Sequence, residues 1–235
     1  PSWRLKEVAD SWYSALCGQA GSCAVLAVYL RTEQDWKEWA RIAKMEELVF
    51  FTAEQVAATV ERILAARAAK GEERFTHILL TGASTHNATV LAPFEIVARR
   101  FGAAVVTKER LFALTLGRAG REDPSSIRQM LLHSLSTSDL AVLEWELCSR
   151  ADLFLGLAPS TFSFSVHESR TYHGRPSVLV NPSLIGTVTA DDLLRTVNQW
   201  DRAFFTPAFL AAAAWDPSLL DPALCALDHK ERVLC

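Results

Sequence analysis

The chain has 235 residues, of which 50% are hydrophobic and 22% are charged, so it can form one large α/β domain or two small ones. The formal net charge of -3 argues against a nucleic-acid-binding surface, and apolar runs such as residues 24–30 are far too short to span a bilayer. The five cysteines form no C-x-x-C pair and no zinc-binding spacing, which leaves room for one or two disulfide bonds but not for a closed disulfide framework.

The first half of the chain alternates between helical and strand-like patterns. Apolar positions at helical spacing predict helices over residues 4–19, 33–45, 53–70 and 90–101. Short runs rich in Val, Ile and Leu predict buried strands over residues 22–30, 76–82 and 102–108. Each predicted strand is thus separated from the next by at least one helix.

The second half continues this alternation. Residues 117–126 are the most loop-like stretch, and a helical segment follows from about residue 126. The patterns then predict helices over 138–152, 160–174 and 190–213, with strands over 153–157 and 175–182. The last twenty residues are punctuated by proline and are predicted to be irregular.

Regular alternation of strands and helices is typical of a Rossmann-like α/β fold. Such a chain forms a parallel sheet covered by helices on both faces, and its ligand lies in the crevice at the carboxyl ends of the strands. One domain over residues 1–235, with an irregular tail from about residue 214, is the simplest interpretation. The residues that directly follow each strand are therefore the candidates for a functional site.

The first strand runs into Arg31, which Asp35 follows four residues later. A guanidinium at the carboxyl end of a strand can bind a phosphate with two hydrogen bonds, and the carboxylate can hold that guanidinium in place. The alternative is a surface ion pair at the start of a helix, which contributes little to stability. Spacing alone favours this second interpretation.

The fourth strand runs through Pro159 into a predicted helix that begins with Ser160, Thr161 and Phe162. The amides at a helix N-terminus bind anions, and the two hydroxyls add further donors. A Ser-Thr pair is equally common as an ordinary N-cap, so both interpretations stay open. A diphosphate between Arg31 and this helix start would use both strand ends at once.

Other catalytic and binding motifs are absent from the sequence. No G-x-G-x-x-G, Walker lysine or G-x-S-x-G is present, which argues against dinucleotide, P-loop and hydrolase sites. The sequence also lacks an Asp-x-Asp motif, the pattern that would indicate a metal site. The histidines have no partners at ligand or triad spacing and are assigned to structure or solvent. Asn87-Ala88-Thr89 matches an N-glycosylation acceptor, a triplet that often arises by chance and matters only in the secretory pathway.

Two segments resemble the protein O-fucosyltransferase family. VYLRTEQDWKEWAR, residues 28–41, is similar to a family segment that usually reads His-Leu-Arg followed by Ser-Asp-Trp-Lys. LEWELCSRADLFLGLAPSTFSFSVHESRTYHGRPS, residues 143–177, resembles the closing motif, which combines Ala-Asp-x-Phe-Ile-Gly, a Ser-Ser-Phe or Ser-Thr-Phe triplet and Gly-Arg-Pro-Ser. The ordered pair of motifs is more specific than either motif alone.

The resemblance implies the C-terminal, donor-binding half of a GT-B glycosyltransferase that uses GDP-fucose. It further implies transfer of fucose to a Ser or Thr hydroxyl of a protein, with inversion and without a metal or cofactor. EGF-like or thrombospondin-type repeats would be the acceptor, and the lumen of the endoplasmic reticulum or Golgi the location. Since the sequence begins at Pro1, we expect the N-terminal GT-B domain to lie outside it.

The resemblance also implies roles for particular residues. Arg31 would bind the β-phosphate and stabilise the departing GDP, with Asp35 supporting its guanidinium. Tyr29 and Leu30 belong to the same donor-binding segment. The diphosphate would be held by residues at the start of the following helix, namely Ser160, Thr161 and Phe162.

Two acidic residues complete the implied donor site. Glu144 stands where the family has an acidic residue near guanine, and Asp152 matches the Asp of Ala-Asp-x-Phe. This sequence departs from the family pattern at Tyr29, where the family has His, and at Leu157, where one close relative has Asn. The change at Tyr29 bears on nucleotide affinity or preference.

Two alternatives compete with a fucosyltransferase. The chain could be a non-catalytic relative that kept the fold as a binding or scaffold module, an interpretation that Tyr29 favours slightly. It could instead belong to a transferase for another nucleotide sugar. Measurements of GDP and GDP-fucose binding test the first alternative, and a panel of UDP- and GDP-sugars tests the second.

Overall fold

The computed structural model describes residues 3–18, 23–31, 52–117, 124–157 and 160–180. The contacts within the chain divide it between residues 199 and 200, and every described residue lies in the first of the two units. The predicted helices over 33–45 and 190–213 and the predicted irregular tail lie outside the described residues. The prediction of a single domain over 1–235 stays a prediction.

The described residues form five strands and seven helices. The strands are β1 (Val25–Tyr29), β2 (His77–Thr81), β3 (Ala104–Thr107), β4 (Leu153–Leu157) and β5 (Ser177–Val180). The helices are α1 (Trp3–Cys17), α2 (Ala53–Ala69), α3 (Ala88–Phe101), α4 (Lys108–Thr115), α5 (Pro124–Ser134), α6 (Thr137–Arg150) and α7 (Thr161–Tyr172).

All five strands are parallel and lie in the order β3-β2-β1-β4-β5. The chain passes from β1 outward through β2 to β3, and then returns to the other side of β1 to form β4 and β5. The direction of winding therefore reverses between β1 and β4. In an open α/β sheet the ligand crevice lies at this switch point, outside the carboxyl ends of the two strands.

The sheet has a separate apolar core on each face, because alternate residues of a strand point to opposite sides. Leu26 and Val28 of β1 contribute to the core that α2 and α3 cover. Val25 and Ala27 contribute to the opposite core, which is covered by α1, α4, α5, α6 and α7. The prediction of a parallel sheet with helices on both faces is confirmed.

Side-chain caps determine where several helices begin. Thr52 and Ser136 form reciprocal capping boxes with Gln55 and Asp139 at the starts of α2 and α6. Thr107 is the last residue of β3, and its hydroxyl accepts a hydrogen bond from the amide of Arg110. This cap starts α4 directly after the strand, and the sequence patterns did not predict that helix.

Arg170, in the last turn of α7, is buried and fixes the chain that leads into β4. Its guanidinium donates to the carbonyl oxygens of Cys148 and Ala151, each at 2.7 Å, and to that of Pro176 at 2.6 Å. These carbonyls belong to the end of α6 and to the segment before β5. Burial, more than any neighbouring charge, lowers the pKa of Arg170 to about 10.

One disulfide bond joins Cys17, at the end of α1, to Cys23, just before β1. Cys148 is a free and buried thiol. Among the described residues, none of the helices combines the length and the hydrophobicity that a membrane-spanning helix needs. The same residues contain no group of three or more His, Cys, Asp or Glu side chains suited to a metal ion.

Candidate functional site

The switch point brings together the two strand ends that the sequence analysis had selected. β1 and β4 are hydrogen-bonded neighbours in register, with Val28 opposite Leu155. Tyr29 closes β1 and is followed by Leu30 and Arg31, while Ser160 follows β4 as the residue before α7. Arg31 is partly buried in this position. Neighbouring strands in a sheet lie about 4.8 Å apart, so the chain leaves both strands at the mouth of the same crevice.

A direct contact joins these two segments. The ring of Tyr29 stacks on the ring of Phe162, with centroids 4.4 Å apart and planes inclined by 22°. Tyr29 is almost fully buried, and Phe162 is the second residue of α7. The stack therefore holds the end of β1 against the first turn of α7.

Ser160 is the N-cap of α7. Its hydroxyl oxygen accepts a hydrogen bond from the amide of Ser163 at 3.4 Å. The hydroxyl of Ser163 in turn accepts from the amide of Leu157 at 3.0 Å, which ties the helix start to the end of β4. Thr161, the first helical residue, is exposed.

This capping does not remove the anion-binding capacity of the helix start. The first amides of an α-helix have no carbonyl partner one turn earlier, and the N-terminal end carries the positive pole of the helix dipole. Ser160 uses its oxygen as an acceptor, so its own hydroxyl hydrogen is a further donor. The N-cap and phosphate-site interpretations of this stretch are therefore compatible.

Gly156 allows α7 to lie this close to β4. A Cβ atom at this position would be 2.7 Å from the ring of Phe154 and 2.8 Å from the Cβ of Ser163. Any side chain here would push the helix start away from the strand. The glycine thus determines how near the amides of α7 come to the crevice.

Gly82, directly after β2, likewise allows close packing, here between its own backbone and the end of β1. Its φ of 116° suits glycine, and a Cβ here would be 2.2 Å from the carbonyl oxygen of Leu30. The amide of Leu30 donates to the carbonyl of Thr81 at 2.9 Å. Close backbone packing at Gly82 therefore determines the path of the chain into Arg31.

A buried ion pair makes hydrogen bonds with both the backbone amide and the backbone carbonyl of Gly82. The carboxylate of Glu144 accepts from the Gly82 amide at 3.1 Å, and the ammonium of Lys108 donates to the Gly82 carbonyl at 2.5 Å. Lys108 and Glu144 contact each other at 2.7 Å, and both are more than nine-tenths buried. Glu144 thus lies at the carboxyl edge of the sheet, with its charge matched by a lysine.

A second buried carboxylate lies beside this pair. Glu109 follows Lys108 in the first turn of α4 and is 5% exposed. One carboxylate oxygen lies 3.5 Å from the hydroxyl of Thr85, while Oε1 is buried without a hydrogen-bond partner among the described residues. Thr85 also donates to the carbonyl of Gly82 at 3.2 Å, so these residues form one polar cluster next to the crevice.

Asp152 does not lie with the other predicted site residues. It precedes β4 at the amino end of the strand, where its carboxylate accepts from the amide of Val25 at 2.7 Å. The length of β4 separates it from the crevice, so the structure gives it a role in pairing the starts of β1 and β4. This position does not support the predicted contact of Asp152 with the donor, which stays a prediction. Asp35 lies outside the described residues, so its support of Arg31 stays a prediction.

The free thiol of Cys148 lies beneath the site on α6 and is not a nucleophile there. Its sulfur is 3.5 Å from the hydroxyl of Thr81 at the end of β2. Complete burial is the main reason that its pKa is raised to about 12. The thiol therefore stays protonated at neutral pH, whereas catalytic cysteines react as thiolates.

Comparison with solved structures finds partial matches to this chain. The chain is similar to part of POFUT1 in its crystal structure in complex with GDP, with a TM-score of 0.43 and 18% sequence identity. The alignment covers 75% of this chain and 46% of that protein, so the chain spans less than half of its length. No family model and no curated protein matches the chain.

The sequence analysis missed three residues that shape the site, namely Gly82, Lys108 and Gly156. Lys108 directly follows β3, so the rule of searching each strand end applied to it. Its importance depends on the pairing with Glu144, which is 36 residues away in the chain and gives no local signal. The two glycines were visible as strand-end and mid-strand glycines, but their close neighbours are known only from the fold.

Proposed function

We propose that this chain is the donor-binding domain of a glycosyltransferase that uses GDP-fucose and transfers fucose to a Ser or Thr hydroxyl of a protein. The observation that carries the proposal is the Tyr29–Phe162 stack at the switch point, because it holds the segment of Arg31 against the anion-binding start of α7. The motif resemblance over residues 28–41 and 143–177 supports the choice of GDP-fucose.

The proposed chemistry uses charge stabilisation on the leaving group. The acceptor hydroxyl attacks the anomeric carbon, the bond from that carbon to the β-phosphate oxygen breaks, and GDP departs with the bonding electrons. Negative charge on the phosphate grows in the transition state, so a preplaced guanidinium and helix amides stabilise that state more than the ground state. Arg31 and the first amides of α7 would provide this stabilisation.

The remaining roles follow from position. The Ser160 and Thr161 hydroxyls would donate to the diphosphate, and the Glu144 cluster would lie near the nucleoside. We propose direct displacement with inversion and without a metal, with the acceptor proton taken by a group outside the described residues. EGF-like or thrombospondin-type repeats as acceptor and a secretory-pathway lumen as location are parts of the same proposal.

Calorimetry tests the donor-binding step on this chain. We expect GDP and GDP-fucose to bind, UDP to bind more weakly, and Arg31→Ala to weaken GDP binding. Arg99→Ala is the matched control, since Arg99 is an exposed arginine in the last turn of α3. In a full-length enzyme, Arg31→Ala is expected to lower fucose transfer about 10²–10³-fold, the usual effect of removing one charge-stabilising donor. Undiminished transfer by that variant rejects the catalytic role.

A second candidate function rests on the ion pair of Lys108 and Glu144. Because Lys108 already matches the charge of Glu144, this carboxylate is less available to read the amide-like edge of guanine. This favours either another nucleotide sugar or a non-catalytic binding module. A panel of UDP- and GDP-sugars separates these outcomes, since a transferase for another donor binds one member tightly and a scaffold module binds none.

A further inference from the structure

Asn87-Ala88-Thr89 is the only acceptor triplet for N-linked glycosylation in the sequence. The chain has two other asparagines, and neither is followed by a usable pattern: Asn181 precedes proline, and Asn198 has Trp at the third position. The triplet alone is weak support, because such patterns arise by chance. Its place in the fold and the redox state of the chain supply two independent observations.

The triplet lies on an exposed surface at the start of α3. Asn87, Ala88 and Thr89 are all exposed, as are Ala83 and His86 in the turn before them. A bulky oligosaccharide on Asn87 would therefore extend into solvent without displacing packed side chains. A glycan on a buried triplet would instead have to displace packed side chains.

The geometry of Asn87 leaves the reactive nitrogen available. Asn87 is the N-cap of α3, and its Oδ1 accepts a hydrogen bond from the amide of Thr89 at 2.9 Å. Glycosylation joins the sugar to Nδ2, which has no hydrogen-bond partner among the described residues. The modified side chain keeps Oδ1 as an acceptor, so the helix cap survives the modification.

The disulfide bond between Cys17 and Cys23 supports an oxidising environment. Disulfides form and persist in the secretory pathway and are rare in reducing compartments. N-linked glycosylation takes place in the same oxidising lumen, so the bond and the triplet point to one location. These two features occur in different parts of the fold and do not depend on each other.

We propose that Asn87 is a site of N-linked glycosylation. The co-substrate is a lipid-diphosphate-linked oligosaccharide. The bond from its first sugar carbon to the phosphate oxygen breaks, a bond from that carbon to Nδ2 forms, Nδ2 loses a proton, and the lipid diphosphate leaves. No oxidation or reduction is involved. The proposal does not depend on donor binding at the switch point.

The test is secretion of the full chain from eukaryotic cells behind a cleavable signal sequence, followed by treatment with an asparagine-glycan amidase. Wild type and Thr89→Ser are expected to show one discrete loss of mass on treatment. Thr89→Ala and Asn87→Asp are expected to show none. Both controls keep the cap of α3, because the first retains Asn87 and the backbone amide of residue 89, and aspartate is an equally good N-cap.

Peptide mapping after the amidase reaction completes the test. In wild type, Asn87 is expected to be converted to aspartate, and the Cys17–Cys23 disulfide is expected in the same molecules. Secreted wild-type chain that contains this disulfide but carries no glycan at Asn87 overturns the proposal. A loss of mass that persists in Asn87→Asp also overturns it, because the glycan then lies elsewhere.

Discussion

Tyr29 and Phe162 stack face to face, although 133 positions separate them in the sequence, and this contact joins the end of β1 to the start of α7. One residue closes a central strand, and the other lies in the first turn of the helix that follows the neighbouring strand. Their contact makes the switch point a single unit. The effects of substitutions there should therefore be coupled.

Removal of the Phe162 ring should loosen the start of α7. We expect Phe162→Ala to lower the free energy of unfolding by about 2 kcal/mol, since it removes both buried apolar area and an aromatic pair. Tyr29→Phe keeps the ring and is expected to have a much smaller effect. Denaturant unfolding of the two variants measures the difference, and equal losses would show that the stack contributes little.

A side chain at Gly156 should disturb both stability and ligand binding. Gly156→Ala places a methyl group against Phe154 and Ser163, and overpacking of this kind costs about 1–3 kcal/mol. Gly102→Ala is the control, because Gly102 has a φ of 71° with open space around it, so its substitution strains only the local backbone. Both variants should unfold more easily, but only Gly156→Ala should weaken GDP binding in calorimetry.

The Lys108–Glu144 pair should be far more sensitive than a surface pair. Lys108→Met leaves Glu144 buried without its cation, and breaking a buried pair in this way costs about 3–5 kcal/mol. Neutralising Glu95 in the exposed Arg110–Glu95 pair is expected to cost less than about 1 kcal/mol. A double variant, Lys108→Met with Glu144→Leu, should regain part of the loss. Strictly additive losses would contradict the coupling.

Cys148 should be unreactive in the folded chain. Its pKa is raised to about 12 by burial, so the thiolate that reacts with alkylating agents is scarce at neutral pH. Iodoacetamide treatment followed by peptide mass analysis should find Cys148 unmodified in native buffer and fully modified in denaturant. Rapid modification under native conditions would contradict its burial.

Acidification should destabilise the fold through His167. Burial, followed by the charge of Arg170, lowers the pKa of His167 below its ordinary value of 6.5, and the ring hydrogen-bonds to Ser177 at 2.5 Å. The unfolded chain then binds a proton first, so the contribution of this group is complete above pH 6.5 and is lost as the pH falls. Urea unfolding on both sides of that pH should show a smaller loss for His167→Gln than for wild type. The exposed His133→Gln variant should behave like wild type.

Several features of the fold follow directly from local patterns. Apolar runs such as residues 24–30 predicted buried strands, and helical spacing predicted α1, α2 and α6 to within a few residues. These elements can be predicted from short segments, because strand and helix preferences depend on near neighbours and on the spacing of apolar residues. The boundary of β3 with α4 was missed because Thr107 serves both elements, closing the strand and capping the helix.

Local patterns in the sequence were enough to predict the fold class and the strand ends that are candidates for a site, including Arg31 and Ser160. The folded chain was needed to show that these two ends are neighbours, that Lys108 pairs with Glu144, and that Asp152 lies at the far end of β4. The physical reason is that strand order and long-range pairing depend on packing energies summed over the whole sheet. No single local segment contains that sum.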